Sequence, residues 1–297
     1  MPNELHPDDP SDVLAHQALG WAFWLHVIFL LVETVGGFLT GSLALLSDAG
    51  HMLSDVLALA IAWVVSRLAH RGASLTRTYG YGRAEILGAL INGLTLWLVV
   101  GAIFLESIRR LIHPLEVLSG AMLAVALAGL AVNVVCAGML FRHRGHDLNL
   151  RGAFLHLVAD SVSSVGVVTA GVLMWRFQWY LADPLASFLI GILILVSSWG
   201  LIKESVNILL EGTPAHLNIE QVRLRLEALD GVEKCHDLHI WMIGSGEPVL
   251  TAHLTATPNA DRTKVLREAT DLLSAAYKIG HVTIQVEKEA LPEWPHD

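Results

Sequence analysis

Two pairs of polar side chains in apolar surroundings are the residues of this sequence best suited to chemistry. His51 precedes Asp55 by four residues, and His156 precedes Asp160 by the same interval. On an α-helix this spacing places both side chains of a pair on one face, one turn apart. Two imidazoles and two carboxylates suit a tetrahedral divalent cation such as zinc better than soft copper(I) or hard calcium and magnesium.

A single His–Asp pair in a membrane helix has a simpler explanation, which is a hydrogen bond to a neighbouring helix. Two copies in separate apolar stretches are harder to explain by packing, because unpaired buried charges are costly. Ionisable residues at membrane depth usually face a bundle interior, a partner or an ion pathway. The pairs therefore predict one metal site, with Asp48 as a partner that orients the His51 imidazole.

The elements that must position these pairs are membrane helices. The chain has 297 residues, of which 16% are charged, and a mean hydropathy of +0.54, which is unlike a soluble domain. Six apolar stretches are long enough to cross a bilayer: residues 20–39, 43–65, 86–105, 117–141, 153–175 and 185–202. Asp183 and Pro184 predict the N-cap and first residue of the sixth helix. Glu33 has two interpretations, a position facing an aqueous cavity or one near the outer interface.

The remainder of the chain reads as a water-soluble α+β domain. Hydrophobic periodicity predicts helices at residues 219–229 and 263–277 and strands at 232–243, 248–255 and 281–287. The order αββαβ predicts helices packed on one face of a small sheet. The expected domains are a cytosolic N-terminal tail at 1–16, a six-helix transmembrane domain at 17–211 and a cytosolic domain at 212–297.

The distribution of basic residues predicts the orientation in the membrane. Loops after the second and fourth stretches, with the adjoining helix ends, carry Arg67, Arg71, Arg77, Arg83, Arg142, Arg144 and Arg151, whereas the opposite side carries Arg109, Arg110 and Arg176. We therefore expect a multi-pass protein of the inner (plasma) membrane with both termini in the cytoplasm. The acidic N-terminus has no Lys or Arg, so it does not read as a signal peptide. The net charge of −9 makes no case for nucleic acid as a partner.

Other chemistries have weaker support in the sequence. The two cysteines, Cys136 and Cys235, lie in a membrane stretch and in the tail, so we expect neither a disulfide nor a thiolate metal site. A membrane metalloenzyme would need an open coordination position and a general base, for which Asp48 is the nearby candidate. We expect no enzyme. A metal-sensing receptor whose tail signals is the other alternative class.

Five motifs carry a resemblance to a known family. They are SLALLSDAGHMLSD at residues 42–55, YGYGRAE at 79–85, NILLEG at 207–212, HDLHIW at 236–241 and HVTIQVE at 281–287. On these motifs the sequence resembles the cation diffusion facilitator family, bacterial zinc-efflux branch, over nearly the whole chain. The resemblance implies a homodimer of six-helix subunits in the lipid bilayer, with cytosolic ferredoxin-like domains. It also implies Zn²⁺ efflux from the cytoplasm by alternating access, driven by protons as the counter-ion.

The resemblance also implies which residues bind metal. The transport site of the family maps onto His51, Asp55, His156 and Asp160, a combination that resembles zinc-selective members rather than manganese transporters. A cytosolic metal site maps onto His236, His253, His281 and Glu287, where Zn²⁺ would be a structural ion. A surface imidazole is the alternative for each tail histidine. Broader specificity for cadmium, cobalt, iron or manganese stays open.

Two departures from the family pattern limit the metal sites. Some relatives bind an extra metal between the second and third helices, but here that loop offers only His70, and Tyr81 stands where those relatives have His. We therefore expect that site to be absent or degenerate. Gln285 replaces a further His ligand in the tail, which puts two full sites per subunit in doubt.

A charged pair is expected at the junction of the two domains. Arg83 begins the third helix and Glu211 follows the sixth, and in relatives a basic and an acidic residue pair at these positions. The resemblance implies a structural ion pair here, with Arg in place of the more usual Lys. The alternative is that each charge is separately solvated in the headgroup region.

Overall fold

The computed structural model describes residues 10–69, 74–141, 148–244 and 246–289. His70 and the first nine residues of the predicted N-terminal tail lie outside the described residues. The helices of the membrane part are α1 (Pro10–Thr40), α2 (Leu43–Ala69), α3 (Gly82–Ile112), α4 (Ser119–Phe141), α5 (Leu148–Phe177) and α6 (Ala182–Leu209).

Five of these helices contain a described stretch that is long and apolar enough to cross a membrane. The stretches are Phe23–Thr40, Gly82–Ile112, Ser119–Phe141, Phe154–Phe177 and Ala182–Leu209. Helix α2, which carries the first His–Asp pair, is not among them in the described part of the chain. The chain is thus a multi-pass membrane protein, and the place of α2 as a sixth span stays a prediction.

The chain divides into two compact units. One unit is formed by the residues up to 59 and by 92–199, and the other by 60–91 and the residues from 200 onward. The main core of the first unit draws buried apolar side chains from α2 to α6, among them Leu45, Val100, Met122, Val167, Met174 and Ile190. Side-chain amides join helices of this unit: Asn92 donates to Ser54 Oγ at 3.1 Å, and Asn133 to Ser164 Oγ at 3.0 Å.

Asp183 has a different place from the one that the sequence predicted. Helix α6 begins one residue earlier, at Ala182. The Asp183 side chain is fully buried and caps the start of α2 instead: it accepts from Ser42 Oγ at 2.6 Å, from Leu43 N at 2.8 Å and from Ala44 N at 3.1 Å. An N-cap from a distant helix satisfies the same amides as a local one, and sequence pattern alone cannot distinguish them.

Arg110 contacts Asp183 at the start of α2. This contact explains why Arg110 lies on the side of the membrane that has fewer basic residues. Its guanidinium lies 3.1 Å from Glu106 and 3.5 Å from Asp183, and it donates to the carbonyl oxygen of Gly41. The side chain is 13% exposed. Arg110 thus serves as a structural ion-pair partner.

The second unit contains a small sheet with two helices. Its elements are α7 (Ile219–Glu227), β1 (Val232–Met242), β2 (Pro248–Ala256), α8 (Arg262–Tyr277) and β3 (His281–Glu287), in the predicted order αββαβ. The sheet order is β1-β2-β3, with β1 and β2 antiparallel and β2 and β3 parallel. Buried side chains of both helices and of β1 and β2 form one core, including Val222, Leu226, Leu250, Leu254, Val265 and Leu273.

Candidate metal sites

The two His–Asp pairs meet within the first unit. Helix α2 supplies His51 and Asp55, and α5 supplies His156 and Asp160. His156 Nε2 lies 3.1 Å from Asp55 Oδ2 and 3.6 Å from Asp160 Oδ2, and His51 Nε2 lies 3.4 Å from Asp160 Oδ1. The two imidazole rings are 5.8 Å apart. Two pairs that are far apart in sequence thus face each other between α2 and α5.

The ligand atoms are arranged in a way that suits a shared cation. One nitrogen from each imidazole and a carboxylate oxygen of Asp160 all lie within 4.8 Å of one another. Both Asp160 oxygens and His51 Nδ1 are buried and lack a hydrogen-bond partner in the described part of the chain. Buried carboxylate oxygens without hydrogen bonds are costly unless a cation compensates them. The donor set of imidazole and carboxylate fits zinc.

The four side chains differ in exposure, which gives the group an open and a closed side. The Asp160 side chain is 5% exposed, whereas that of His156 is 44% exposed and that of Asp55 is 34% exposed. A cation could therefore reach the group from the side of Asp55 and His156.

Asp48 contacts residues other than the one predicted. Its carboxylate accepts from Ser163 Oγ at 2.9 Å and from Ser164 Oγ at 3.3 Å, both on α5. Asn133 on α4 donates to the same Ser164 hydroxyl. The structure therefore places Asp48 in a network that joins α2 to α5 and α4. The buried His51 Nδ1 has no hydrogen-bond partner in the described part of the chain, so it does not donate to Asp48 there.

A second group of possible ligands lies in the sheet of the second unit. His236 on β1 is 3.2 Å from Glu287 Oε2 on β3, and His253 on β2 is 3.1 Å from Glu287 Oε1. The rings of His236 and His253 are 5.3 Å apart. Antiparallel pairing places these two histidines directly opposite each other, which explains the short distance. His236 and Glu287 are buried.

His281 is not brought to this group. It begins β3, six residues before Glu287, which corresponds to about 20 Å along a strand. Its ring instead packs edge-on against Tyr79 at 5.4 Å. Gln285 stands beside His253 in the register and donates to Glu287 Oε1 at 2.8 Å. A ligand set that includes His281 therefore cannot form around one ion within the subunit.

Two residues that sequence reasoning missed extend the group on β1. His239 Nε2 lies 3.0 Å from Asp237 Oδ1, and His253 Nε2 lies 3.6 Å from Asp237 Oδ2. The strand pairing is irregular between His236 and His239, and Asp237 has a positive φ of 49°. Such a bulge re-aims side chains. The motif His-Asp-Leu-His at residues 236–239 is the sequence feature from which Asp237 and His239 could have been predicted.

Cys235 lies beside these histidines in sequence but is not poised to bind metal. Burial raises the pKa of its thiol to about 11, with the carboxylate of Glu227 acting in the same direction. The thiolate is the form of cysteine that ligates metals. A protonated Cys235 at neutral pH therefore favours imidazole and carboxylate ligands in this domain.

The predicted ion pair at the end of α6 is present in the second unit. Arg83 Nη2 lies 2.8 Å from Glu211 Oε1, and the two side chains are 40% and 62% exposed. At that exposure, the pair is worth at most about 1 kcal/mol. Tyr81, in the same segment, packs against the guanidinium of Arg77 at 4.7 Å.

Comparison with known proteins decides the family. A family model described as "Cation efflux transmembrane domain" matches residues 21–210, which is more than half of the chain. The chain belongs to the cation efflux family. A second model, named ZT_dimer and described as "Cation efflux protein, cytoplasmic domain", matches residues 214–289. The family consists of transporters, which agrees with the non-enzyme interpretation of the sequence.

Relatives of known name cover most of the chain. The "Zinc transporter ZitB" of Escherichia coli is 39% identical over 282 residues, which are 94% of this chain and 89% of that protein. The "Cadmium, cobalt and zinc/H(+)-K(+) antiporter" of Bacillus subtilis is 41% identical over 267 residues, 88% of this chain and 86% of that protein. A solved structure, "Metal-bound C-terminal domain of the CzcD transporter from Cuprividus metallidurans", is 36% identical, covers 24% of this chain and 99% of its own, and has a TM-score of 0.23.

Proposed function

We propose that this protein exports zinc from the cytoplasm in exchange for protons. The observation that carries the proposal is the meeting of His51, Asp55, His156 and Asp160 between α2 and α5, with both Asp160 oxygens buried and lacking hydrogen-bond partners. The names of the relatives support zinc as a substrate, and that of the Bacillus relative includes cadmium, cobalt, protons and potassium.

The chemistry of the four ligands is enough to couple zinc transport to proton transport. Zinc requires neutral imidazole and ionised carboxylate, so zinc and protons compete for the same four side chains. Protons that enter from outside would displace the cation toward that side. Rocking of α2 and α5 against the other helices would alternate access to the site.

The proposed architecture is a homodimer with six transmembrane helices in each subunit. In it, α2 is the sixth span, both termini are cytoplasmic, and the protein lies in the inner membrane. The tail is a cytosolic ferredoxin-like domain. The αββαβ order supports a ferredoxin-like tail. The name and description of the second family model support a cytosolic tail and a dimer.

Vesicle transport with purified protein tests the function. In liposomes with an imposed pH gradient, we expect zinc accumulation that collapses when an ionophore removes the gradient. Zinc flux that is unaffected by the ionophore would contradict proton coupling, and zinc binding without any flux would favour a sensor.

The cytosolic group is proposed as a separate zinc site made by His236, His253 and Glu287. Calorimetry on the full-length protein should show two classes of zinc site, and the His236→Ala/His253→Ala double variant should lose one class. Two classes that persist in the double variant would remove this assignment. Replacing the exposed His216 by Ala provides the control.

A further inference from the structure

Three polar contacts join α2 to α5, one after another along the two helices. Two of them belong to the proposed transport site. The third is formed by Asp48, which accepts from Ser163 Oγ at 2.9 Å and from Ser164 Oγ at 3.3 Å. The contacts follow one register, in which residues 48, 51 and 55 of α2 meet residues 163, 160 and 156 of α5. Each step forward along α2 is matched by an equal step back along α5, so the helices are antiparallel here and about one turn separates neighbouring contacts.

The Asp48 contact lies on the closed side of the transport site. His156, at the other end of the series, is exposed, whereas Asp160, Asp48 and Ser164 are buried. Asn133 of α4 donates to the Ser164 hydroxyl at 3.0 Å, so this end of the register is also tied to a third helix. The contact is therefore placed where it can hold α2 against α5 behind the metal-binding side chains.

The carboxylate of Asp48 is used differently from that of Asp160. Each oxygen of Asp48 accepts a hydroxyl group of α5, whereas both oxygens of Asp160 lack a hydrogen-bond partner among the described residues. Buried polar atoms are normally satisfied, and a carboxylate whose two oxygens already accept hydrogen bonds does not require a cation for this. The contrast favours metal binding by Asp160 and the joining of two helices by Asp48.

We infer that Asp48 is a positioning residue that sets the spacing between the metal ligands of α2 and those of α5. The inference rests on the proposed transport of zinc at these four ligands. Because an α-helix is stiff over a single turn, a contact one turn away fixes how closely the two pairs of ligands approach each other. Cadmium is a larger ion than zinc, so a site with a fixed ligand spacing discriminates between them by geometry, and a looser site discriminates less.

Competition between zinc and cadmium for uptake tests this role. In vesicles that contain the full-length protein, the KM for zinc and the cadmium concentration that halves zinc uptake together give the preference of the site. Asp48→Ala should raise the KM for zinc about tenfold or more and bring the preference for zinc over cadmium toward one. A variant that is only less stable would have fewer active molecules, which lowers the uptake of both ions equally and leaves the KM and the preference unchanged.

Two further variants test the contact itself. Ser163→Ala/Ser164→Ala removes the hydroxyl donors and should change the KM and the preference in the same direction, which covers the case in which Asp48→Ala does not fold. Asp48→Ser/Ser163→Asp exchanges acceptor and donor between the helices and should restore part of the preference. The matched control is Ser161→Ala, because the Ser161 hydroxyl donates to the Leu157 carbonyl oxygen of its own helix at 2.8 Å.

The outcomes distinguish this inference from the proposed function. A wild-type KM and preference in folded Asp48→Ala, or in the double serine variant, would overturn the inference. A folded exchange variant that is as unselective as Asp48→Ala would also overturn it. Wild-type protein that takes up no zinc would instead show that the proposed function itself has failed.

Discussion

At the scale of single residues, Asp160 is the centre of the proposed transport site. It is the most buried of the four ligands, and both imidazoles approach it, one at each oxygen. Asp55 contacts only His156 among these ligands in the described structure and is more exposed. Removing a carboxylate from a buried ionic group typically costs about 3–5 kcal/mol.

We therefore expect Asp160→Asn to weaken zinc binding by about 100-fold or more, since each 1.4 kcal/mol is about tenfold. Asparagine nearly preserves the shape and removes the charge. Proton-driven zinc flux should be lost while the protein still inserts, as measured by vesicle uptake and by yield from membranes. The exposed Asp271→Asn is the control, and wild-type flux in Asp160→Asn would exclude Asp160 as a ligand.

The selectivity of the transport site among metal ions also depends on single residues. His51→Asp replaces a nitrogen ligand by an oxygen ligand, so the site becomes harder and should bind manganese better relative to zinc. Competition between the two ions for uptake measures the ratio. A ratio equal to that of wild type would mean that His51 is not a ligand, and the exposed His216→Asp should leave the ratio unchanged.

At the scale of elements, the start of α2 is held by a residue of α6. Asp183 is fully buried, accepts two backbone amides and the hydroxyl of Ser42, and lies 3.5 Å from the guanidinium of Arg110. This cap determines where α2 begins. Because α2 carries two of the four proposed ligands, the cap also determines the position of His51 along the helix axis.

Asp183→Ala should lower the free energy of unfolding by roughly 3 kcal/mol, because it leaves two buried amides without their acceptor and removes one of the ion-pair partners of Arg110. Asp183→Asn keeps one acceptor oxygen and should lose less. Thermal unfolding in detergent gives the ranking, with the exposed Glu116→Gln as the control. An alanine variant as stable as wild type would show that the cap contributes nothing to stability.

At the scale of the whole molecule, two compact units share the long helices α2, α3 and α6. Within the second unit, the Arg83–Glu211 pair joins the start of α3 to the turn that follows α6. Glu211 has a positive φ of 61°, which turns the chain away from the helix toward the sheet domain.

Reversing one charge should reduce transport moderately, because a pair this exposed is worth at most about 1 kcal/mol, or roughly fivefold. We expect Arg83→Glu and Glu211→Arg each to slow zinc uptake and the charge-swapped double variant to recover part of the rate. High salt should shrink these differences. A double variant as slow as the slower single variant would indicate no coupling between the two charges.

The sequence by itself determined the helices, the element order of the tail and the residue types of the proposed transport site. These follow from local regularities: hydropathy over about 20 residues, alternation along strands, and an i, i+4 spacing that holds in any helix. The Arg83–Glu211 pair came from the family resemblance.

The tertiary structure decided which distant groups meet. Asp183 caps α2 rather than its own helix, Asp48 contacts serines of α5, and His281 lies at the far end of β3 from Glu287. The irregular pairing on β1 places Asp237 close to both His239 and His253. The burial of Glu33 depends on the missing side chain of Gly129 on another helix. Such contacts depend on strand register and helix packing, which local sequence patterns do not encode.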